Sequence, residues 1–171
     1  MIKYSIFKTN MGWIGVLVNQ RGVLRTTLPM GTRLNVKEYF TSFNNSLLYP
    51  GLNDEITLVK REINLYFSGC NPKFNLINMD LSELTNFSRN VLNISRKIPY
   101  GETRSYKWIA KSLGNPRSYR AVGQVLAKNP LPILIPCHRV IATSGLLQGF
   151  MGGKIDLDLK RKLIDFEKNH I

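Results

Sequence analysis

The stretch SYKWIAKSLGNPRSYRAVGQVLAK, residues 105–128, decides the fold of the C-terminal half of this 171-residue chain. Its apolar residues have helical spacing on both sides of Gly114, and Asn115-Pro116 supplies a cap and a first-turn proline for a second helix. We predict one helix over 105–113, closed by Gly114, and another that runs to about Lys128. This arrangement is typical of a helix-turn-helix, although tight helical hairpins also occur in proteins that never contact DNA.

The charge of the chain favours the DNA-binding interpretation. There are 24 Lys and Arg against 11 Asp and Glu, a net charge of +13. Residues 82–171 carry 15 basic and 6 acidic side chains, so that this half alone has a net charge of +9. Such an excess favours a polyanionic partner through counterion release and electrostatic steering. The alternative is a charge that serves only solubility.

Composition excludes several classes of protein. With 43% hydrophobic and 20% charged residues, the chain is neither disordered, nor collagen-like, nor a coiled-coil rod. No apolar run reaches the roughly 18 residues that span a bilayer, so we expect no membrane partner and a cytoplasmic or nucleoid-associated location. Cys70, Cys137, His138 and His170 do not form a zinc-binding pattern. We therefore expect no metal, no cofactor and two free thiols.

The pattern along the chain predicts two domains. Residues 1–80 form an α/β domain with a small antiparallel sheet, and residues 81–171 form a mostly helical, winged-helix-like domain that contains the helix-turn-helix. The predicted elements are strands over 2–8, 12–19, 22–28 and 133–135, helices over 35–43 and 54–67, an apolar helical stripe formed by Phe87, Val91, Ile94 and Ile98, and a linker over 68–79.

A cysteine that stands beside a histidine and an arginine is the candidate nucleophile. Cys137 is followed by His138 and Arg139. Neighbouring positive charge and hydrogen bonds favour the thiolate, so we expect a lowered pKa for Cys137. The alternative is an inert buried thiol, which is the commoner state of a cysteine.

The block around this cysteine resembles the O6-alkylguanine-DNA alkyltransferases, also called methylated-DNA–protein-cysteine methyltransferases. The similar segments are Ile98-Pro99-Tyr100-Gly101-Glu102, Ser105-Tyr106, Arg120-Ala121-Val122-Gly123, Asn129-Pro130 and residues 135–140, IPCHRV. Downstream the resemblance continues through Gly152-Gly153 to Lys160 and Glu167. It therefore covers residues 82–168, whereas residues 1–80 agree only in length and in strand-helix pattern.

The resemblance implies a catalytic role for five residues. Cys137 matches the alkyl acceptor, and His138 matches the base that takes its proton, in the family through a water molecule. Glu167 matches the carboxylate that orients the histidine. Asn129 matches the residue that braces the turn before the active-site segment, and Tyr106 matches the donor to the leaving guanine.

It also implies a substrate pocket and a DNA-facing surface. The pocket residues are Tyr106, Val140, Pro132, Phe150 and Met151; the last two stand where a tyrosine and a serine are frequent in the family, and the stretch before Lys160 is longer than usual. Arg120 matches the finger that replaces a base rotated out of the duplex. The other DNA-facing residues are Ala121, Gly123, Arg117, Ser105 and Lys128.

The implied function is DNA repair by single-turnover transfer of an alkyl group from O6-alkylguanine, with O4-alkylthymine as a further substrate, to Cys137. Double-stranded DNA carrying alkylated bases is the expected partner, and we expect a monomer. Zinc ligands that some members carry in the N-terminal half are absent. A non-catalytic lesion-binding relative usually replaces the acceptor cysteine. A winged-helix regulator gives the Cys137-His138 pair no role, and a cysteine peptidase or glutaminase does not explain the charge.

Overall fold

The computed structural model describes residues 1–43, 48–147 and 157–171. The chain divides into two compact units. The first comprises Met1–Ser82 and Pro130–Leu134, and the second comprises Glu83–Asn129 and Ile135–Ile171. A short segment from the C-terminal half thus belongs to the N-terminal unit, which a single boundary in the sequence does not describe.

A four-stranded sheet with the order β3-β2-β1-β4 forms the centre of the first unit. Its strands are β1 (Ile2–Thr9), β2 (Gly12–Asn19), β3 (Gly22–Thr26) and β4 (Leu48–Pro50). The predicted antiparallel meander is β1-β2-β3, and β4 pairs in parallel with β1, which makes the sheet mixed.

The third strand ends at Thr26, before the predicted end at 28. The amide of Thr26 donates to the Pro130 carbonyl at 3.0 Å, and its hydroxyl donates to the Pro132 carbonyl at 2.8 Å. The segment from the C-terminal half is therefore the partner of β3 at this point. No local pattern in the sequence indicates such a pairing.

Two helices cover this sheet, α1 (Arg33–Phe43) and α2 (Asp54–Phe67). The side chain of Asn53 caps α2 by accepting from the Ile56 amide at 2.8 Å, and the predicted apolar face of α2 is buried. A Cβ at Gly15 would lie 2.4 Å from side-chain atoms of α1, so this glycine permits the close approach of α1 to β2.

Residues 68–79 were predicted to be a linker, and the structure instead orders them against the first unit. They contain a 3-10 turn at Phe74–Leu76. The Val23 amide donates to the Asn78 carbonyl at 2.8 Å, and the Lys73 amide donates to the buried Glu62 carboxylate at 2.6 Å. These hydrogen bonds hold the segment in place, although its sequence has no apolar periodicity.

The second unit is mostly helical, as predicted. It contains α3 (Asn86–Ser95), α4 (Tyr106–Ser112), α5 (Tyr119–Ala127), α6 (Leu157–Lys168) and two short parallel strands, β5 (Arg104–Ser105) and β6 (Val140–Ile141). On α3 the stripe is rotated from its predicted position, because Leu92 is buried whereas Phe87 is exposed.

The helix-turn-helix consists of α4 and α5, with a 3-10 turn, Pro116–Ser118, between them. Ser105 caps α4 by accepting from the Trp108 amide at 3.1 Å. Asn115 was predicted to cap the second helix, but its side chain makes no capping hydrogen bond, and Pro116 opens the 3-10 turn instead.

Residues 133–135 were predicted to form a strand, whereas the structure has a turn at Ile133 and Leu134, with Ile133 in the left-handed region at a φ of +73°. The Asn129 side-chain amide donates to the Ile135 carbonyl at 2.9 Å and closes the loop that contains this turn. Within the described ranges, no helix is long and apolar enough to cross a membrane.

Candidate active site

Cys137 lies at the start of a tight backbone turn. Residues Cys137–Arg139 form a 3-10 turn, in which the Cys137 amide donates to the Ile135 carbonyl at 2.8 Å and the Arg139 amide donates to the Pro136 carbonyl at 3.0 Å. All three side chains of the turn are buried. The turn brings the side chains of His138 and Arg139 to the same carboxylate, that of Glu167.

The side chain of His138 contacts the carboxylate of Glu167 from α6. His138 Nε2 and Glu167 Oε1 are 2.7 Å apart, and both side chains are almost fully buried. Burial lowers the pKa of His138, although Glu167 acts in the opposite direction, so the ring is neutral at pH 7. A neutral ring that donates from Nε2 to a carboxylate has its lone pair on Nδ1 and can accept a proton there.

Arg139 provides the positive charge that the Glu167 carboxylate needs. Its Nε donates to Glu167 Oε2 at 2.9 Å, its Nη2 donates to Oε1 at 3.0 Å, and its Nη1 donates to the Ile98 carbonyl at 2.7 Å. The Gly101 amide also donates to Glu167 Oε2 at 3.0 Å. Burial alone would raise the pKa of Glu167, but the hydrogen bond with His138 and the contacts with Arg139 lower it to about 2.

Sequence reasoning missed this use of Arg139. We expected its charge to act on the cysteine, whereas the structure directs the guanidinium to Glu167. The bidentate geometry is the strong form of an Arg–carboxylate pair. In the sequence, the only signal for a role of Arg139 is its position close to the candidate nucleophile. Its partner, Glu167, is distant in the chain, so no local pattern indicates their ion pair.

The expectation of a lowered pKa for Cys137 is wrong. Burial raises the pKa of this thiol, whose side chain is 3% exposed, and this effect exceeds the opposing effects of a hydrogen bond from Asn129 and of the nearby Lys160 charge. Loss of hydration destabilises the thiolate more than these neighbours stabilise it. The resting side chain is therefore a thiol.

Asn129, to which the resemblance gives a bracing role, lies beside the segment that leads to Cys137. Its side-chain amide donates to the Ile135 carbonyl at 2.9 Å, and its side chain also forms a hydrogen bond with the Cys137 thiol. The residue is buried at the end of α5. It thereby links the second helix of the helix-turn-helix with the turn that carries the cysteine.

Tyr106 and Lys160 lie together on another side of the site. Tyr106 is the first residue of α4 and is half-buried. Burial raises its pKa to about 12, and the negative charge that Cys137 carries when ionised acts in the same direction. Lys160, from α6, is fully buried, and its Nζ donates to the Val140 carbonyl at 2.7 Å. Lys160 Nζ and the Tyr106 hydroxyl are 3.5 Å apart. Sequence reasoning assigned no role to Lys160.

The four other predicted pocket residues lie in different parts of the chain. Val140 lies in β6, opposite Arg104, next to the cysteine turn. Pro132 belongs to the first compact unit, where its carbonyl accepts from Thr26. Phe150 and Met151 lie outside the described residues.

A basic groove of about 500 Å³ lies on the helix-turn-helix. Its lining residues are Lys107, Lys111, Pro116, Arg117, Tyr119 and Arg120. Lys107 Nζ and Arg120 Cζ lie 6.0 Å and 5.8 Å from the centre of the Tyr119 ring, within the range of cation–π contacts. The cations of this groove are exposed.

The groove includes some of the predicted DNA-facing residues and not others. Arg117 and Arg120 line it, whereas Lys128 lies at the far end of α5 as its exposed C-cap. The Ser105 hydroxyl accepts from the Trp108 amide. Ala121 and Gly123 are half-buried on α5, with Gly123 next to the ring of Tyr106.

In the described part of the chain, no three His, Cys, Asp or Glu residues are grouped to hold a metal ion. Cys70 is an exposed free thiol and Cys137 a buried one. The two cysteines therefore have opposite environments, which makes Cys70 a useful internal control.

Known proteins similar to this chain agree on one family. Residues 86–169 match the family model described as 6-O-methylguanine DNA methyltransferase, DNA binding domain. A methylated-DNA–protein-cysteine methyltransferase of Methanosarcina barkeri is 46% identical over 111 residues, which are 65% of this chain and 67% of that protein. The protein of that name from Sulfolobus acidocaldarius is 35% identical over 98% of this chain and 94% of its own length.

Solved structures extend the similarity to the fold of nearly the whole chain. The crystal structure of Mycobacterium tuberculosis O6-methylguanine methyltransferase has a TM-score of 0.78 at 30% identity and covers 100% of this chain and 95% of that one. The structure of the Mycobacterium tuberculosis protein in complex with DNA has a TM-score of 0.80 at 30% identity, covering 98% and 94% of the two chains. Together with the cysteine turn and its buried carboxylate, these similarities show that the chain belongs to the methylated-DNA–protein-cysteine methyltransferase family.

Proposed function

We propose that this protein repairs DNA by moving an alkyl group from the O6 atom of guanine to the Sγ atom of its own Cys137. The observation that carries the proposal is the cluster of Cys137, neutral His138 and ionised Glu167 in a chain of this family. The alkyl carbon is saturated, so its removal is an in-line displacement that a sulfur nucleophile performs well. The C–O bond breaks as the S–C bond forms.

The proton of the thiol must leave as the sulfur attacks. Burial keeps Cys137 protonated at rest, and the neutral ring of His138 is the base that accepts the proton, directly or through water. Glu167 stays ionised and stabilises the imidazolium that forms, while Arg139 holds the carboxylate in place. The reactive thiolate then exists only during the reaction, which protects the buried thiol from other electrophiles.

The guanine that leaves carries negative charge until a donor neutralises it. The Tyr106 hydroxyl serves as that donor, because its pKa of about 12 keeps it protonated throughout the physiological range. The product at Cys137 is a thioether, which is not readily hydrolysed as the thioester of a cysteine hydrolase is, so each molecule reacts once. The same chemistry extends to O4-alkylthymine.

DNA reaches the site through the helix-turn-helix. A base inside a duplex hides its O6 substituent, so the alkylated nucleotide rotates out of the stack at a cost of a few kcal/mol. Arg120, exposed on α5, fills the vacated position. Lys107, Lys111 and Arg117 in the groove contact phosphates without reading sequence.

We assign DNA binding and alkyl acceptance to the domain formed by residues 81–171, and we assign residues 1–80 to a separate N-terminal domain, whose compact unit also includes Pro130–Leu134. The protein acts as a monomer on double-stranded DNA that carries alkylated bases. We infer a cytoplasmic or nucleoid-associated location, because that is where this substrate lies.

Mass spectrometry tests the proposal directly. The intact protein is incubated with a duplex that contains one O6-methylguanine, and peptides are then mapped. We expect one added methyl group per molecule, on the peptide that contains Cys137 and not on the one that contains Cys70. A duplex that binds while the lesion and the protein mass both stay unchanged would identify a non-catalytic lesion-binding protein instead.

A further inference from the structure

Tyr119 is an exposed aromatic residue to which the proposed mechanism gives no role. It is the first residue of α5, and it is 36% exposed. Its ring lines the basic groove of the helix-turn-helix, among cations from α4, from α5 and from the turn between them. An aromatic ring attracts cations to its negatively polarised faces, so its place in this groove calls for an explanation.

Two cations approach this ring, one from each helix. Arg120 Cζ, from α5, lies 5.8 Å from the ring centre, and Lys107 Nζ, from α4, lies 6.0 Å from it. The helix alone does not account for the contact with Arg120, because adjacent residues of an α-helix point about 100° apart and do not face each other. The arginine side chain must run round the helix to reach the ring, which selects one conformation among many.

The ring holds the Arg120 guanidinium without cancelling its charge. Across the described ranges, no carboxylate forms an ion pair with Arg120 or Lys107. A carboxylate partner would neutralise the arginine and would repel the phosphates of an approaching duplex. An aromatic face attracts the cation through its quadrupole, so the full positive charge of the groove remains available to a polyanion.

Holding the side chain in advance reduces the cost of inserting it. An unrestrained arginine at a helix surface has many conformations, and most of them are lost when the side chain enters a duplex. A contact that limits these conformations beforehand lowers that entropic cost, as preorganisation does in binding generally. An exposed cation–π contact is weak, so it can order the arginine and still release it when DNA arrives.

We propose that Tyr119 is a positioning residue that holds the Arg120 guanidinium in the groove until it enters the place of the rotated base. The inference rests on the role of Arg120 in the proposed function. It makes Tyr119 act only through Arg120, which distinguishes it from an aromatic residue that stacks on a base itself. It also assigns the effect to the faces of the ring and not to the hydroxyl group.

The experiment measures single-turnover repair of a duplex with one O6-methylguanine, at saturating protein so that affinity does not limit the rate. We expect Tyr119→Leu to slow repair about fivefold, equivalent to about 1 kcal/mol, because the face that held the guanidinium is lost. Tyr119→Phe keeps the ring and should restore the parent rate to within about twofold. Tyr49→Leu, at an exposed tyrosine of β4, is the matched control and should leave repair unchanged.

Free O6-benzylguanine separates this role from a defect in folding or in the buried cluster. Its reaction with Cys137 involves no duplex and no rotated base, so the rate should not depend on the Tyr119 ring. An unchanged rate in Tyr119→Leu would also show that the variant is folded and that its nucleophile is intact. Affinity for an unmodified duplex, from a gel-shift titration, should change by less than about twofold, because the ring is not proposed to contact phosphates.

A double substitution tests whether Tyr119 acts through Arg120. In an Arg120→Ala protein, Tyr119→Leu should slow duplex repair no further, because no guanidinium remains to be held. A ring that stacked on a base by itself would still cause a slowing of at least about fivefold there.

Several results would overturn the inference while the parent protein still becomes methylated at Cys137, which leaves the proposed function intact. They are unchanged duplex repair in Tyr119→Leu, the same loss in Tyr119→Phe, equal slowing with free O6-benzylguanine, or a loss that persists in the Arg120→Ala protein. A parent protein with no methyl group on Cys137 after exposure to the O6-methylguanine duplex would instead refute the proposed function.

Discussion

The cysteine turn and the basic groove, both in the second unit, are built on opposite principles. Around Cys137, the side chains of His138 and Glu167 are 0% and 1% exposed, and each charge has a partner at hydrogen-bond distance. Along the groove, the cations of Lys107, Arg117 and Arg120 are exposed to water. The cluster around Cys137 is therefore shielded from water and its ion pairs are buried, whereas the groove is exposed to water and carries an excess of positive charge.

The difference indicates that the buried charges affect the stability of the fold, whereas the exposed charges affect the binding of DNA. Removing a member of a buried ion pair leaves an uncompensated charge in a low-dielectric interior, which is costly. An exposed cation contributes little to stability and becomes useful only when a polyanion approaches. We therefore expect substitutions in the buried cluster to change chemistry and folding, and substitutions in the groove to change DNA binding.

The largest expected effect is a complete loss of alkyl transfer without a loss of DNA binding. Cys137→Ala removes the proposed acceptor, so alkyl transfer should be undetectable while affinity for an O6-methylguanine duplex stays within about twofold. Counting methyl groups on the protein and a gel-shift titration measure these two quantities. Cys70→Ser, at the exposed thiol, is the matched control and should keep full transfer. Transfer that persists in Cys137→Ala would identify another acceptor.

The next effect concerns the stability of the buried cluster. The pKa of Glu167 is about 2 in the fold against an ordinary value of 4.5, so its stabilising contribution is complete above pH 4.5 and is lost as the pH falls toward 2. Glu167→Gln should lower the free energy of unfolding at pH 7 by about 3 kcal/mol and should remove most of that acid dependence. Urea unfolding at several pH values measures both.

The exposed Asp165 on the same helix provides the control for this prediction. Asp165→Asn should change the free energy of unfolding by less than about 0.5 kcal/mol. Equal effects of the two substitutions would mean that the general charge of α6, and not the pairing with His138 and Arg139, determines stability.

A smaller effect is expected at the groove. Arg120→Ala should slow repair of duplex DNA by about tenfold, equivalent to about 1.4 kcal/mol, because the vacated position is no longer filled. The rate with free O6-benzylguanine should stay unchanged, since no base is rotated out. Arg161→Ala, at an exposed arginine of α6, is the control. A similar loss on both substrates would place Arg120 in the chemistry and not in base rotation.

The smallest expected effect concerns Gly123, which lies on α5 next to the ring of Tyr106. A Cβ at Gly123 would lie 3.8 Å from the Tyr106 ring, in ordinary van der Waals contact. Gly123→Ala should therefore stabilise the protein by about 0.5–1 kcal/mol through helix propensity, while it weakens DNA binding if this face of α5 approaches the backbone. Thermal unfolding and DNA titration measure the two changes, with Gln124→Ala as the exposed control. Unchanged DNA affinity would exclude Gly123 from the interface.

Local sequence signals predicted much of the secondary structure. The apolar spacing of α2 and the strand signals of β1 and β2 act within a few residues, and the structure confirms these three elements. The prediction of a strand at 133–135 failed because the hydrogen bond of Asn129 to Ile135 overrides the local apolar run. The prediction of a lowered pKa for Cys137 failed because the residues next to a cysteine in the sequence do not show whether its side chain is buried.

In the candidate site, too, some residues have a local signal in the sequence and others do not. The Cys137-His138 pair stands in adjacent positions and could be found directly, whereas Glu167 was reached only through resemblance to the family. The bond from Arg139 to Glu167 and the place of Lys160 beside Tyr106 join residues that are far apart in the chain. Neither has a local signal.

The sequence by itself determined the helix-turn-helix, the basic charge of the C-terminal half and the choice of Cys137 as the candidate nucleophile, because periodicity, charge and motif are properties of neighbouring residues. Only the tertiary structure decided the protonation of that nucleophile, the partner of Arg139, the burial of Lys160 and the inclusion of Pro130–Leu134 in the first unit. These depend on desolvation and on contacts between distant segments, and both arise only when the chain has folded.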